Sequence, residues 1–466
     1  MSDSADRDST VDIGPVDLTA LQATLDQARR SPLYAETLRD VRIGSYEDFK
    51  KIPFTTRSDL ESAGLHGTRA APLEEICHYG VSSGTTGNPN STWLTPSDLA
   101  NNARTIKERH PDIFAAGRIM INRFPFMAAP AHLIQLISQQ GGGVSIPAGN
   151  INWDVPYPKT LDLSISTGAT VLAGLPLEPV VLSQIARMRG LDPAKDVALD
   201  TFFLGGAPLP PVLQRRIERD WDARVVELYG STETMLLGTA CSERTLHIET
   251  GLVFCEILCV DSDEPAAVGE EGRLIVTNLG IEGSPLVRLD TGDRVRRLGP
   301  CACGDPRLSL VVLGRAADVS VVEGKRLHSY ELIEAAATAA DCLDSSVFFT
   351  VILPDRLVVR IETEKKKGGD PEGAIRAHLG DIRVEIERVP SHSVLDVEHL
   401  SRSPSVYKPV LLADWRRPGR RLISISQSMM EWPKLSGREA LRWGLRSLRT
   451  SLRGRRLAKE LRASEK

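Results

Sequence analysis

The sequence predicts an α/β fold with mixed and parallel sheets in a large N-terminal unit, followed by a small α+β unit and a basic helical tail. Three observations carry this. The chain has 466 residues, 41% of them hydrophobic, enough for two or three packed units. From Ser97 to Leu228, helical periodicity alternates with short apolar runs, the pattern of strands joined by crossover helices. After Val319 the pattern changes to apolar-alternating strands around one helix, and the last fifty residues are rich in arginine.

Composition narrows the function. A formal charge of −4 and a pI near 6.2 give no global argument for nucleic acid, although the basic tail leaves the rest of the chain net acidic. The polar start, Met1 to Asp12, has neither the basic nor the apolar region of a signal peptide, and no apolar run is long enough to cross a bilayer. The expectation is a cytoplasmic protein, disordered over residues 1–16, whose seven cysteines are thiols or metal ligands.

In chain order, Leu18 to Arg39 reads as helix, break and helix, from apolar positions at Leu18, Leu21, Leu25, Leu33 and Leu38. Ile52-Pro53-Phe54-Thr55-Thr56-Arg57 is extended and then offers a Thr or Ser N-cap. Val81 to Asn90 reads V-S-S-G-T-T-G-N-P-N, a turn whose hydroxyls and backbone N–H groups suit an anion such as phosphate. Ser97 to His110 predicts a helix, and Arg118 to Phe126 a buried strand ending in a Pro-rich turn. His132 is expected to open the next helix in a structural role. Leu133 to Gln140, Gly141 to Pro147 and Thr170 to Gly174 continue the alternation. Thr201 to Leu204 is a buried strand breaking at Gly205-Gly206-Ala207-Pro208, where backbone can lie against a planar ligand. A helix from Pro211 to Trp221 and the strand Val225 to Leu228 lead to a second turn, Tyr229-Gly230-Ser231-Thr232-Glu233. Both turns stand at carboxyl ends of strands, where open α/β sheets bind ligands.

Together these stretches resemble the adenylate-forming superfamily. Ser82-Ser83-Gly84-Thr85-Thr86-Gly87-x-Pro89 resembles its phosphate loop, and the Pro53-Phe54-Thr55-Thr56 segment is similar to the phenylacetate-CoA ligase branch. The resemblance implies ATP-dependent activation of a carboxylic acid as acyl-AMP, with pyrophosphate released and the acyl group passed to CoA. It implies that Gly206, Ala207, Tyr229, Gly230 and Ser231 border the nucleotide, with Tyr229 stacked on adenine, Thr232 at phosphate and Glu233 on Mg²⁺. In Arg288-Leu289-Asp290-Thr291-Gly292-Asp293, Asp293 would hold the ribose hydroxyls, and Arg315 would stand near ribose and phosphate. The domains implied are 17–313, a large AMP-binding domain, and 314–416, a small mobile one. At the hinge, Gly314-Arg315-Ala316-Ala317-Asp318 departs from the usual pattern at Ala317, and the acyl-pocket wall departs at Ala128, where relatives often carry histidine.

In the small unit, Ser345 to Leu353, Arg356 to Glu362 and Ile382 to Val389 predict strands, and Pro371 to Leu379 a helix. Ser401 to Lys408 resembles the loop carrying the catalytic lysine, which makes Lys408 the candidate to bind substrate carboxylate and α-phosphate together; the similar Pro433 to Arg438 lies too far past the hinge. Cys241, His247, Cys301 and Cys303 are the candidates for a closed, structural Zn²⁺ site, and Cys255 and Cys259 are expected in the core. Residues 417–466 carry leucines on one helical stripe with arginines around it, suited to an anionic membrane surface, an acidic partner or the acidic body itself. Three functions stand open: a CoA ligase, an adenylating enzyme serving an acidic carrier-protein thiol or an amine, and a catalytically retired nucleotide-binding relative. The acid itself, whether aryl, small aliphatic or amino-acid-like, is not fixed by the sequence.

Overall fold

The computed structural model describes residues 16–81, 90–126, 128–150, 154–364, 368–395, 411–414 and 416. The candidates Ser82 to Gly87 and Lys408, together with the stretches 1–15 and 417–466, lie outside the described residues.

Strands β1 (His78–Val81) and β2 (Ser91–Leu94) form an antiparallel hairpin around the hydroxyl-rich segment. The main sheet uses β3 (Ile119–Asn122), β4 (Val144–Pro147), β5 (Val171–Gly174), β6 (Thr201–Gly205), β7 (Arg224–Ser231), β8 (Met235–Ala240), β9 (Leu246–Ile248), β10 (Val253–Cys259), β11 (Glu271–Asn278), β12 (Leu289–Arg297) and β13 (Ser309–Arg315). Its order is β10-β11-β12-β13-β9-β8-β7-β6-β5-β3-β4. From β4 to β7 every pair is parallel, and from β7 onward every pair is antiparallel. The parallel strands are apolar because helices cover them: Val171, Leu172, Ala173, Phe202, Phe203 and Leu204 are all fully buried.

The helices form where periodicity and caps agree. Pro211–Trp221 has Pro at its first turn and ends at Asp222, which takes the left-handed conformation. Pro96–Arg109 carries a capping box between Thr95 and Asp98. Two expectations fail. Only Leu18–Ala28 is α-helical in the first segment; residues 29–40 are successive turns, because Leu33 N–H bonds the carbonyl of Gly67 while others, such as Tyr34 N–H to Ser31, reach back three residues. His132 does not open a helix but lies within Ala129–Gln140, tilted against His78 with ring centroids 4.4 Å apart.

Beyond β13 the chain makes a short 3₁₀ turn, Ala316–Asp318, then the hairpin β14 (Ser320–Val322) and β15 (Lys325–Leu327). A four-stranded sheet follows in the order β18-β17-β16-β19, from β16 (Phe348–Ile352), β17 (Leu357–Glu362), β18 (Val384–Val389) and β19 (Leu412–Asp414). Helix Pro371–Leu379 connects the parallel pair β17 and β18, as the α+β reading expects. Helix Ser329–Cys342 is buried along Leu332, Ile333, Ala336 and Ala340, is rich in small alanines and packs on Pro211–Trp221. Arg216 and Arg219 bind Asp341 from the other helix, and Arg216 also reaches Asp344 at 3.0 Å. Among the described residues, no helix is long and apolar enough to cross a membrane.

Candidate active site

The site stands where the sheet changes from parallel to antiparallel. Strand β7 runs to Ser231, so Tyr229, Gly230 and Ser231 are strand residues rather than the turn the sequence suggested. They stay extended because β8 pairs with them, with a register shift between Tyr229 and Gly230. The turn itself is Thr232 to Thr234. Ser231 Oγ accepts from Thr234 N–H at 3.1 Å and shares a hydrogen bond with its hydroxyl at 2.9 Å, which makes Ser231 a cap of this turn.

Two cavities meet at the turn. One, of about 100 Å³, is lined by Phe124, Pro125, Ala128, Pro130, Leu133, Leu175, Gly205, Gly206, Leu228, Gly230, Met235 and Leu236, with Tyr229, Ser231 and Thr232 as its polar end. The other, of about 30 Å³, is lined by Arg57, Asn90, Ser231, Glu233, Asp290, Asp293 and Arg315 among others. Ser231 lines both. Gly206 has φ of +84°, which lets the chain leave β6 against the apolar cavity, and Ala207 follows in the same bend.

Asp293 joins the predicted residues. Tyr229 Oη donates to its Oδ2 at 2.6 Å, and Arg315 Nε stands 2.8 Å from its Oδ1. The register pairs Asp293 directly with Arg315 across β12 and β13. Burial raises the Asp293 carboxyl above its ordinary range, against the pull of Arg315 and the Tyr229 hydroxyl. Burial, and then the Asp293 charge, push the Tyr229 phenol well up, so it remains a donor. Glu227, two residues earlier on β7, is pushed up to about 8 by burial.

The segment before the hydroxyl-rich loop proves to be a brace. Thr55 N–H bonds the Arg288 carbonyl and Asp290 N–H bonds the Thr55 carbonyl, both at 2.9 Å. Arg288 forks onto Glu256 with two bonds of 2.9 Å and stacks over Phe54 at 4.3 Å. Thr56 caps the helix Arg57–Ala63, which sets Arg57 at the polar cavity. Sequence reasoning placed Ala128 on the acyl-pocket wall, where it does line the apolar cavity, but gave Arg57, the Asn90 side chain and the leucines of that lining no role. Asn90 lies 143 residues from Glu233, yet its Nδ2 donates to Glu233 Oε1 at 2.6 Å.

Cys241, His247, Cys301 and Cys303 come together with ligand atoms all within 4.8 Å of one another. Cys241 Sγ lies 3.8 Å from Cys301 Sγ, and His247 Nε2 lies 3.4 Å from Cys303 Sγ. A zinc tetrahedron with metal–sulfur bonds of about 2.3 Å has sulfur–sulfur edges of about 3.8 Å and sulfur–nitrogen edges of about 3.6 Å, so the four donors fit that ion. His247 Nδ1 lies 3.4 Å from the Arg307 carbonyl, the outer contact that would aim Nε2 at a metal. Cys255 is buried as expected, while Cys259 is partly exposed.

A family model described as AMP-binding enzyme matches residues 18–281. The chain is an AMP-binding enzyme. Among similar proteins, this AMP-binding enzyme is 26% identical over 337 residues to the phenylacetate-coenzyme A ligase of Thermus thermophilus, covering 66% of this chain and 71% of that one. It is 26% identical over 302 residues to the Escherichia coli enzyme of the same name, covering 62% and 66%. The chain spans about two thirds of these relatives' length. Among solved structures, 2-hydroxyisobutyryl-CoA ligase in its postadenylation state shares the fold with a TM-score of 0.72 at 18% identity, over 88% of this chain and 91% of that chain. ATP-bound MatB from Rhodopseudomonas palustris gives 0.52 at 18% identity, over 79% and 72%.

Proposed function

We propose that the chain activates a carboxylic acid with ATP as acyl-AMP, releasing pyrophosphate, and then passes the acyl group to CoA. One observation carries this reading: an apolar cavity and a charged one open onto the same turn, sharing Ser231. An acid whose apolar end fills the first cavity presents its carboxylate beside the second.

Asp293 accepts the ribose hydroxyls, which exchange for the present contacts of Tyr229 and Arg315. Tyr229 offers its ring to adenine, and Thr232 offers a hydroxyl to phosphate. The substrate carboxylate attacks the α-phosphate in line, and pyrophosphate leaves. Lys408 neutralises charge on the carboxylate and α-phosphate, and Ser82 to Gly87 hold the leaving phosphates. Glu233, a hard oxygen donor in a cavity with Asp290 and Asp293, suits Mg²⁺, which would offset phosphate charge there. Cys241, His247, Cys301 and Cys303 hold structural Zn²⁺. Residues 17–313 form the large domain and 314–416 the small one, with the boundary at Gly314.

The apolar lining limits the acid. Among its described residues the phenol of Tyr229 is the one ionisable group, so an ammonium or second carboxylate on the substrate would be buried without a partner of opposite charge. Neutral apolar acids fit; amino-acid-like substrates do not.

The test is ATP–pyrophosphate exchange across a panel of acids without CoA, followed by mass spectrometry after CoA is added. Exchange with neutral apolar acids and an acyl-CoA product is expected. Exchange without thioester would transfer the second step to a carrier-protein thiol or an amine. No exchange with any acid, from protein that still binds nucleotide, would leave a retired relative.

A further inference from the structure

Three carboxylates line the polar cavity, and the described residues treat them differently. Asp293 is paired with Arg315 at 2.8 Å. Asp290 has Arg273 at 3.5 Å and accepts from Gly292 N–H at 2.9 Å. Glu233 has a neutral partner, the Asn90 carboxamide, at 2.6 Å. We propose that Asn90 is a positioning residue for Glu233, and that it sets the affinity of this site for a divalent cation carried with a nucleotide. The inference rests on the ligase reading above for the nucleotide.

A glutamate at the middle of a three-residue turn has free side-chain torsions, and ordering them opposes cation binding. The Asn90 N–H donor fixes the carboxylate through Oε1 and leaves its charge intact, with Oε2 remaining for a ligand. A lysine or arginine at position 90 would hold Glu233 as firmly but cancel the charge that attracts the cation. An aspartate would repel it. Orientation matters beyond Glu233 itself, because its charge raises both the Asp293 carboxyl and the Arg315 guanidinium. The arrangement thus separates two tasks in one small cavity: arginine-paired Asp293 for neutral hydroxyls, and amide-held Glu233 for a cation. Partners that orient metal ligands in this way affect metal affinity by about 10- to 100-fold.

The experiment titrates Mn²⁺ by electron paramagnetic resonance with a non-hydrolysable ATP analogue, using the full chain and its Asn90→Ala, Asn90→Leu and Asn90→Gln variants. AMP affinity is measured in parallel without metal. Asn90→Ala should weaken Mn²⁺ binding by about 10- to 100-fold. Asn90→Leu, of similar size but without the donor, should weaken it as much, and Asn90→Gln, which keeps an amide, should recover part of the loss. Metal-free AMP affinity should stay at the wild-type value. Wild-type Mn²⁺ affinity in the Ala and Leu variants would overturn the proposal. So would an equal loss of metal-free AMP affinity, which would mark a general collapse of the site. The readout does not depend on turnover: a wild-type chain that binds Mn²⁺ with the analogue but shows no exchange would sink the ligase reading while Asn90 is still judged by the titration. Should Asn90→Ala unfold, the Gln and Leu variants carry the comparison.

Discussion

Replacing Gly230 by alanine tests whether the geometry of the β7–β8 junction controls the chemistry. An ideal Cβ at Gly230 stands 2.2 Å from the Met235 carbonyl oxygen and 3.1 Å from its carbon. Both are backbone atoms, so no side chain can swing aside. Carbon and oxygen settle at about 3.3 Å, so the strands must part by about 1 Å. That shift would move Tyr229 relative to Asp293 and Glu233 relative to Asn90, two contacts now at 2.6 Å. A displacement of about 1 Å at an active site can cost 100-fold in rate, or about 2.7 kcal/mol in the barrier. Overpacking should also remove about 1–3 kcal/mol of stability. The assay is kcat/KM for ATP in pyrophosphate exchange, with unfolding followed by calorimetry. Gly251→Ala is the control, since nothing lies within 4 Å of the added carbon. A Gly230→Ala protein with wild-type activity and an unchanged unfolding temperature would refute the reasoning.

Tyr229→Phe removes a hydroxyl that lowers the Asp293 carboxyl, while the burial that raises it remains. Because the ribose contact proposed for Asp293 needs the ionised form, nucleotide affinity should fall as pH decreases, and the fall should begin at higher pH in the variant; ATP KM against pH checks this. Arg123 and Glu178 form a fully buried pair at 3.0 Å. Glu178→Gln should destabilise by about 3–5 kcal/mol in urea unfolding, and the double change Arg123→Met with Glu178→Leu should cost less than either single change. One zinc per chain is expected by elemental analysis, and Cys303→Ser should abolish it and lower the unfolding temperature. A neutral apolar acid should outcompete its α-amino analogue in exchange, and the reverse ranking would contradict the cavity lining.

Elements with strong local signals were legible in the sequence. The helices Pro211–Trp221 and Pro371–Leu379 have the predicted bounds, because Pro at the first turn and an apolar stripe fix both. The cysteine and histidine candidates were legible because two of them share a Cys-x-Cys knuckle. Residues 29–40 were not, since their backbone is decided partly by Gly67 far along the chain. Nor was the strand state of Tyr229 to Ser231, whose glycine and serine suggested a turn until β8 supplied a partner. Of the apolar wall, only the stretch at Ala128 and the turn at Gly206 were legible; Leu133, Leu175 and Leu228 join them from separate segments. Asn90 and Arg57 are ordinary polar residues locally, and only tertiary contact gives them meaning.

From Tyr229 to Met235, seven consecutive residues line the two cavities and include the residues proposed for adenine, phosphate and metal. Met235, buried in the acyl wall, holds a φ of +60°, a conformation costly for any side chain and more so for a β-branched one. Selectivity for the acid and affinity for the nucleotide are therefore coupled wherever this stretch is altered. Double-mutant cycles between Tyr229 and Met235 should show interaction energies of about 0.5–3 kcal/mol. Leu133 and Leu175 reach the same cavity from other parts of the chain. They are the positions at which a different acid can be admitted while the nucleotide is handled as before.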